Sequence, residues 1–250
     1  MRKFTFILMA LLMGAIAQAQ SDYTKSLDGI QWVKIESKTD IVVKTHSSNQ
    51  LLIKSGPEVQ TPERAKGLKL VGEGGTDNTN VGFSVVQDGS TLIIHNLRKN
   101  KGGEIYLPAS KNVSVKSTWN GDIEIDGFSG EIEADAQLNG GVKLLNVNGP
   151  VTASSLNGEI EVQFGKVTQS SPISLYSTNG AVDVSLPSNT PANLALSTLN
   201  GNVYTDFDIK ADEKDGMKSV LGRNIKASIN GGGVKIAMKS TNGNMYLRKK

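Results

Sequence analysis

The chain has 250 residues, 27 Lys and Arg against 24 Asp and Glu, a formal charge of +3, 5% aromatic residues and no cysteine. Absence of cysteine excludes disulfides, thiolate metal sites and a cysteine-linked lipid anchor. Without Arg2 and Lys3 the balance falls to 25 against 24, so bulk charge gives no nucleic-acid footprint, and few aromatics argue against base-stacking platforms or a rich sugar site.

Arg2-Lys3 precedes an apolar run from Phe4 to Ile16, followed by Ala17-Gln18-Ala19. Charged, apolar, then small-x-small is the anatomy of a secretory signal peptide over residues 1–19, too short to remain as a membrane span. The mature chain then starts at Gln20 or Ser21, and a retained N-terminal anchor is the alternative. No other long apolar run follows.

Residues 20–115 read as irregular β strands, first coils or a cap. Strand-like runs cover Ile30 to Ile35, Ile41 to Thr45 and Leu51 to Lys54. Loops follow at Ser55 to Lys66, with Pro57 and Pro62, and at Gly72 to Asn80. Phe83 to Gln87 and Thr91 to Ile94 flank Asp88-Gly89, which predicts a hairpin or a tight coil corner. Gly103 to Pro108 is a further strand closed by proline, and Val113 to Val115 leads into what comes next.

From residue 116 to 250 one phrase returns. Ser117-Thr-Trp-Asn-Gly-Asp-Ile-Glu-Ile125 is followed by the degenerate Leu138-Asn-Gly-Gly-Val-Lys-Leu144, then by Ser154-Ser-Leu-Asn-Gly-Glu-Ile-Glu-Val162. Ser177-Thr-Asn-Gly-Ala-Val-Asp-Val184, Ser197-Thr-Leu-Asn-Gly-Asn-Val203 and Ser240-Thr-Asn-Gly-Asn-Met-Tyr-Leu247 complete the set. The Asn residues, Asn120, Asn139, Asn157, Asn179, Asn200 and Asn242, are 19, 18, 22, 21 and 42 apart. A period near 20 predicts stacked repeats.

Asn-Gly suits a turn because both residues tolerate positive φ, and the apolar alternation after it predicts a strand with one buried face. Two inward columns follow: Ile123, Val142, Ile160, Val182, Val203 and Met245, then Ile125, Leu144, Val162, Val184, Thr205 and Leu247. A second strand precedes each Asn, with Ile132 and Ala134, Val151 and Ala153, Ile173 and Leu175, Leu194 and Leu196, and Ile236 and Met238 facing inward. Asn-Gly is also a hairpin signal, but like residues at like positions favour each strand pairing in parallel with its counterpart one period later. The expected fold is all-β, a parallel β-solenoid with two strands and two corners per period. At an inter-strand distance of about 4.8 Å, the six Asn side chains can hydrogen-bond up the stack as a structural ladder. The 42-residue interval is either one coil with an insert near 206–230 or two coils, and Ile225 and Ala227 favour a partial extra coil. That insert is the first place to look for function.

These repeats resemble the putative adhesin family, an adhesin-like domain of unknown function common in exported bacterial proteins. Glu104-Ile-Tyr-Leu-Pro108, Val203-Tyr-Thr-Asp-Phe-Asp208 and the ending from Asn230-Gly-Gly-Gly to Leu247 add to the likeness, which covers the chain from about residue 30. The resemblance implies a right-handed parallel β-solenoid in an exported protein and transfers no catalytic residues.

Chemistry-bearing motifs are scarce. His46 and His95 lack metal-ligand spacing, and no nucleophile elbow or phosphate loop is present. Asp122, Glu124, Asp126, Glu131, Glu133 and Asp135 crowd the first repeat, with Glu159 and Glu161 two repeats on. They read as an outward solvated face: Gly141 breaks the column, and Lys143 can pair with both Glu124 and Glu161. No catalytic residue, metal or cofactor is expected. The expected function is an exported, non-enzymatic binding or interaction scaffold of the cell envelope, periplasmic or at the cell surface, with a protein or glycan partner. It is expected to be a monomer without nucleic-acid contacts. The alternative is a carbohydrate-active β-helix enzyme, which calls for convergent carboxylates and aromatics; Trp32 and Trp119 lie far apart in the chain.

Overall fold

A computed structural model describes residues 21–56, 62–99, 101–211 and 224–250. The signal-peptide segment and residues 212–223 of the 206–230 insert lie outside the described residues. No α-helix occurs among the described residues, and strands alternate inward apolar and outward polar positions.

The strands form eight two-stranded coils. In spatial order these are Thr91–Asn96 with Gly103–Pro108, Trp32–Ser37 with Ile41–His46, and Asn112–Ser117 with Ile123–Asp126. Then come Ile132–Ala136 with Val142–Val147, Val151–Ser155 with Ile160–Phe164, and Ile173–Ser177 with Val182–Leu186. Val234–Ser240 with Met245–Lys249 is seventh and Ala192–Thr198 with Val203–Thr205 eighth. The first strands of the coils line an eleven-stranded sheet and the second strands a ten-stranded sheet. Neighbouring coils pair in parallel throughout. The solenoid reading holds, and both sheets run without a break across the 115/116 division.

Spatial order departs from chain order at both ends. The seventh coil is the last in sequence, yet it lies between the sixth and the eighth. Near the other end the second coil, first in sequence, lies between the first and the third. The device is the same each time. Ile41–His46 and Gln50–Ile53, consecutive in the chain, straddle Gly103–Pro108. Asn224–Ile229 and Val234–Ser240, also consecutive, straddle Ala192–Thr198. So the 42-residue interval is not an extra coil: Ile225 and Ala227 belong to a strand antiparallel to Ala192–Thr198. Antiparallel strands of this kind cap the stack, covering edges that would otherwise template further pairing. At the first-coil end the caps are Tyr23–Ser26 with Gln50–Ile53 on one sheet and the Phe83–Asp88 hairpin strand on the other.

The core is the space between the sheets. Both inward columns are buried in coils three to seven, including Ile123, Val142, Ile160, Val182 and Met245. Ala134, Ala136 and Ala153 narrow it, while Phe128 and Phe164 fill its corners. Val203 and Thr205 are the exceptions: Val203 is half-buried and Thr205 exposed, because their strand is the short outer one of the eighth coil. Arg98 ties the first-coil cap. Its guanidinium is buried, donates to the carbonyls of Val81, Gly102 and Lys54 at 2.8, 3.2 and 3.0 Å, and lies 4.8 Å from the Phe83 ring centre.

Candidate functional site

The repeated corner Ser/Thr-x-Asn-Gly, one residue longer at Ser117 to Asn120, is where the sequence pattern and the surface features meet. In the fifth coil Ser155 turns inward and is buried, Leu156 faces solvent, Asn157 joins the ladder and Gly158 touches the neighbouring coil. A Cβ at Gly158 would sit 2.1 Å from the Gly140 carbonyl oxygen, and Gly140, Gly180, Gly201 and Gly243 stack in the same way. None of these glycines, nor the Asn before it, has positive φ. The turn-conformation reading of Asn-Gly is therefore corrected. Glycine is needed because one corner rests directly on the next.

The six Asn residues are brought together. Asn139 Nδ2 donates to Asn120 Oδ1 at 2.9 Å, Asn157 to Asn139 at 3.2 Å and Asn179 to Asn157 at 2.8 Å. Asn242 then donates to Asn179 at 2.7 Å, and Asn200 to Asn242 at 2.8 Å. The row thus follows the interleaved coil order, with the last two members exchanged relative to the chain, and every amide points the same way. A buried hydroxyl column runs alongside. Ser155, Ser177 and Ser240 Oγ donate to the carbonyls of Gly140, Gly158 and Gly180, and Thr198 Oγ1 to that of Gly243, all at 2.8–2.9 Å. The sequence pattern assigned these hydroxyls no role, although their recurrence before every Asn-Gly of the ladder but Asn139-Gly140 was the available signal. The Ser117 hydroxyl, also buried, has no partner among the described residues: the equivalent carbonyl, that of Thr39, is taken by Ser37 Oγ at 2.7 Å.

Shallow depressions flank the ladder. The one on the ten-stranded side has a volume of about 560 Å³ and is lined by Asp122, Glu124, Lys143, Glu159 and Glu161 around Gly141. These carboxylates are dispersed by local contacts. Asp122 Oδ1 accepts the Gly141 N–H at 2.7 Å, while Lys143 Nζ lies 3.6 Å from Glu161 and Glu124 is its neighbour on the other side. Among the described residues no group of three or more His, Asp or Glu could hold a metal ion. His46 and His95 are separate: His46 Nε2 is 2.7 Å from the Gln50 carbonyl, and His95 Nδ1 is 3.7 Å from Glu36. The Glu104 carboxyl is held below its usual range by the Tyr106 hydroxyl at 2.6 Å and then by Lys44, a surface contact of the second and first coils.

The depression on the eleven-stranded side, about 610 Å³, is lined by Asp135, Gln137, Leu138, Ser154, Leu156 and Tyr176, among others. Here Trp119, Leu138 and Leu156 form an outward row on coils three to five, 59%, 36% and 40% exposed. Tyr176, 37% exposed, stands beside them in the sixth coil. Hydrogen bonds with Thr178 and Thr241 hold its phenol below the ordinary value. Thr178 and Thr241 interrupt the apolar row in coils six and seven, and Leu199 resumes it in the eighth.

The model of the Toastrack DUF4097 family matches residues 33–248. The chain belongs to this family. The adhesin-like reading of its repeats stands at the level of a domain of unknown function. Two solved structures are similar. One, titled a putative cell adhesion protein, comes from Clostridium sporogenes and is 11% identical, covering 92% of this chain and 99% of that one at a TM-score of 0.41. The other, titled a putative adhesin, comes from Bacteroides fragilis and is 13% identical, covering 93% and 98% at a TM-score of 0.34. No curated protein matches. No helix among the described residues is long and apolar enough to cross a membrane.

Proposed function

We propose that this Toastrack chain is an exported, non-enzymatic binding scaffold of the cell envelope, periplasmic or at the cell surface, whose partner is a protein or a glycan. The observation that carries it is the row of Trp119, Leu138 and Leu156 with Tyr176 beside it. Large apolar side chains held outward on three successive coils cost solubility and contribute nothing to the core, which is the signature of a contact surface. Export rests on the leader at residues 1–19. The reading as a non-enzyme is supported by the acidic depression, where Asp122 accepts a backbone N–H and Glu161 pairs with Lys143.

The test uses purified protein against envelope extracts and a glycan panel, reading retention and reducing-end release together. Retention of a specific envelope component without release is expected. Release of sugar ends would establish the β-helix enzyme instead.

A further inference from the structure

The depression beside Tyr176 has an arrangement that selects among ligand classes. Asp135, Ser154, Tyr176 and Lys239 are successive neighbours across the eleven-stranded sheet, all on its outer face. Lys239 Nζ lies 5.1 Å from the Tyr176 ring centre, which occupies one side of that ring. The neighbour on the other side is only Ser154, so the ring looks over a small residue towards Asp135. Two inter-strand steps put Tyr176 and Asp135 about 10 Å apart. Leu138 and Leu156 border the gap, and the Asp135 carboxylate is steadied by Ser154 Oγ at 2.6 Å and Gln137 Nε2 at 3.1 Å.

A peptide joining by strand addition needs an open sheet edge. The strands here, from coils four to six, are paired on both sides. A helical partner needs a continuous apolar groove, and Asp135, Gln137 and the hydroxyls of Ser154 and Thr178 break this one. What the gap does match is a ring with one C–H face and several hydroxyls. The C–H face would lie on Tyr176 and a vicinal hydroxyl pair would donate to the two oxygens of Asp135.

We propose that the Tyr176–Asp135 gap is a subsite for a hexopyranose unit of a glycan. This rests on the binding-scaffold reading and gives it a ligand class. An open subsite holds a single sugar weakly, so useful retention comes from several units of one chain or several copies of the protein.

The probes are methyl hexopyranosides of gluco, galacto and manno configuration and their linear oligosaccharides, with binding read by saturation-transfer NMR and titration calorimetry. At least one configuration is expected to bind, Tyr176→Ala to weaken it at least tenfold and Asp135→Asn several-fold, while Tyr204→Ala, an exposed tyrosine of the eighth coil, leaves it unchanged. Both test positions face outward, so if one variant fails to fold the other gives the same reading. Sugar binding indifferent to both substitutions would overturn this subsite yet leave a glycan-binding scaffold. No sugar binding alongside retention of an envelope protein would overturn the ligand class only. Retention of neither would overturn the scaffold reading itself.

Discussion

Coils three to six and the two ends of the stack obey different rules. In the middle, coils four to six each rest on the coil before them in the chain, with a Gly corner against a Gly corner and an Asn amide against an Asn amide. Near the ends a chain terminus supplies an inner coil, and the segment next to it in sequence forms the outer one. The difference shows that the repeat specifies a rung and leaves the order of rungs open. Order is set where short connections, His46 to Gln50 and Asn230 to Gly233, force two strands to straddle a third. A simple stack would leave parallel edges bare; straddling places an antiparallel strand on one sheet at each end, Gln50–Ile53 beyond the first coil and Asn224–Ile229 beyond the eighth.

The contrast makes the C-terminal coil the most sensitive element. Deleting residues 234–250 removes the coil that both the sixth and the eighth pair with. The truncated chain is expected to lose its cooperative transition and to associate, which circular dichroism and size-exclusion chromatography would register. Next, Ile160→Ala empties a fully buried position in the middle of the stack. It is expected to cost about 2–5 kcal/mol in a denaturant titration. Gly158→Ala pushes two corners apart against a carbonyl 2.1 Å away, for about 1–3 kcal/mol.

Ladder position gives a smaller effect with a sign. Asn157 donates to Asn139 and Leu138 and accepts from Asn179, whereas the Asn200 side chain, among the described residues, only donates. Asn157→Ala is expected to cost about 1–2 kcal/mol and Asn200→Ala less than about 1 kcal/mol. The smallest effect is at the cap. Lys54 at 2.9 Å, followed by the Ser55 N–H, holds the Asp22 carboxyl below its ordinary 3.8. A lowered carboxylate pKa contributes stability that is present above the unfolded value and lost as pH falls through the folded one. Wild type and Asp22→Asn are therefore expected to differ at neutral pH by less than about 1 kcal/mol, given the exposure of the pair. The two should converge in melting scans below the ordinary carboxylate range.

The rung was legible in the sequence because period-two burial and a 20-residue recurrence leave few alternatives: Ile123, Leu144, Val162 and Val184 are buried as their columns required. Rung order was not. A column shows which residues share a depth and says nothing of which lie side by side, and only the 42-residue interval hinted at the exchange of Asn200 and Asn242. The same blindness misassigned Ile225, Ala227 and Thr205, whose patterns match a coil although the first two lie on an antiparallel cap strand and Thr205 faces solvent. The Tyr176 depression escaped for a related reason: its members sit on separate coils and meet only through register.

Cross-strand cysteine pairing tests the interleaved order most directly, because the chain has no cysteine of its own. Ser174 is the register partner of Ala237, and Ala237 separates it from Ala195. Neighbouring strands bring Cα atoms within disulfide range, whereas positions two strands apart lie about 10 Å from each other and beyond it. Under mild oxidation, Ser174→Cys with Ala237→Cys should form a disulfide, and Ser174→Cys with Ala195→Cys should not. The reverse outcome would mean that the coils stack in chain order and that the interleaving does not exist.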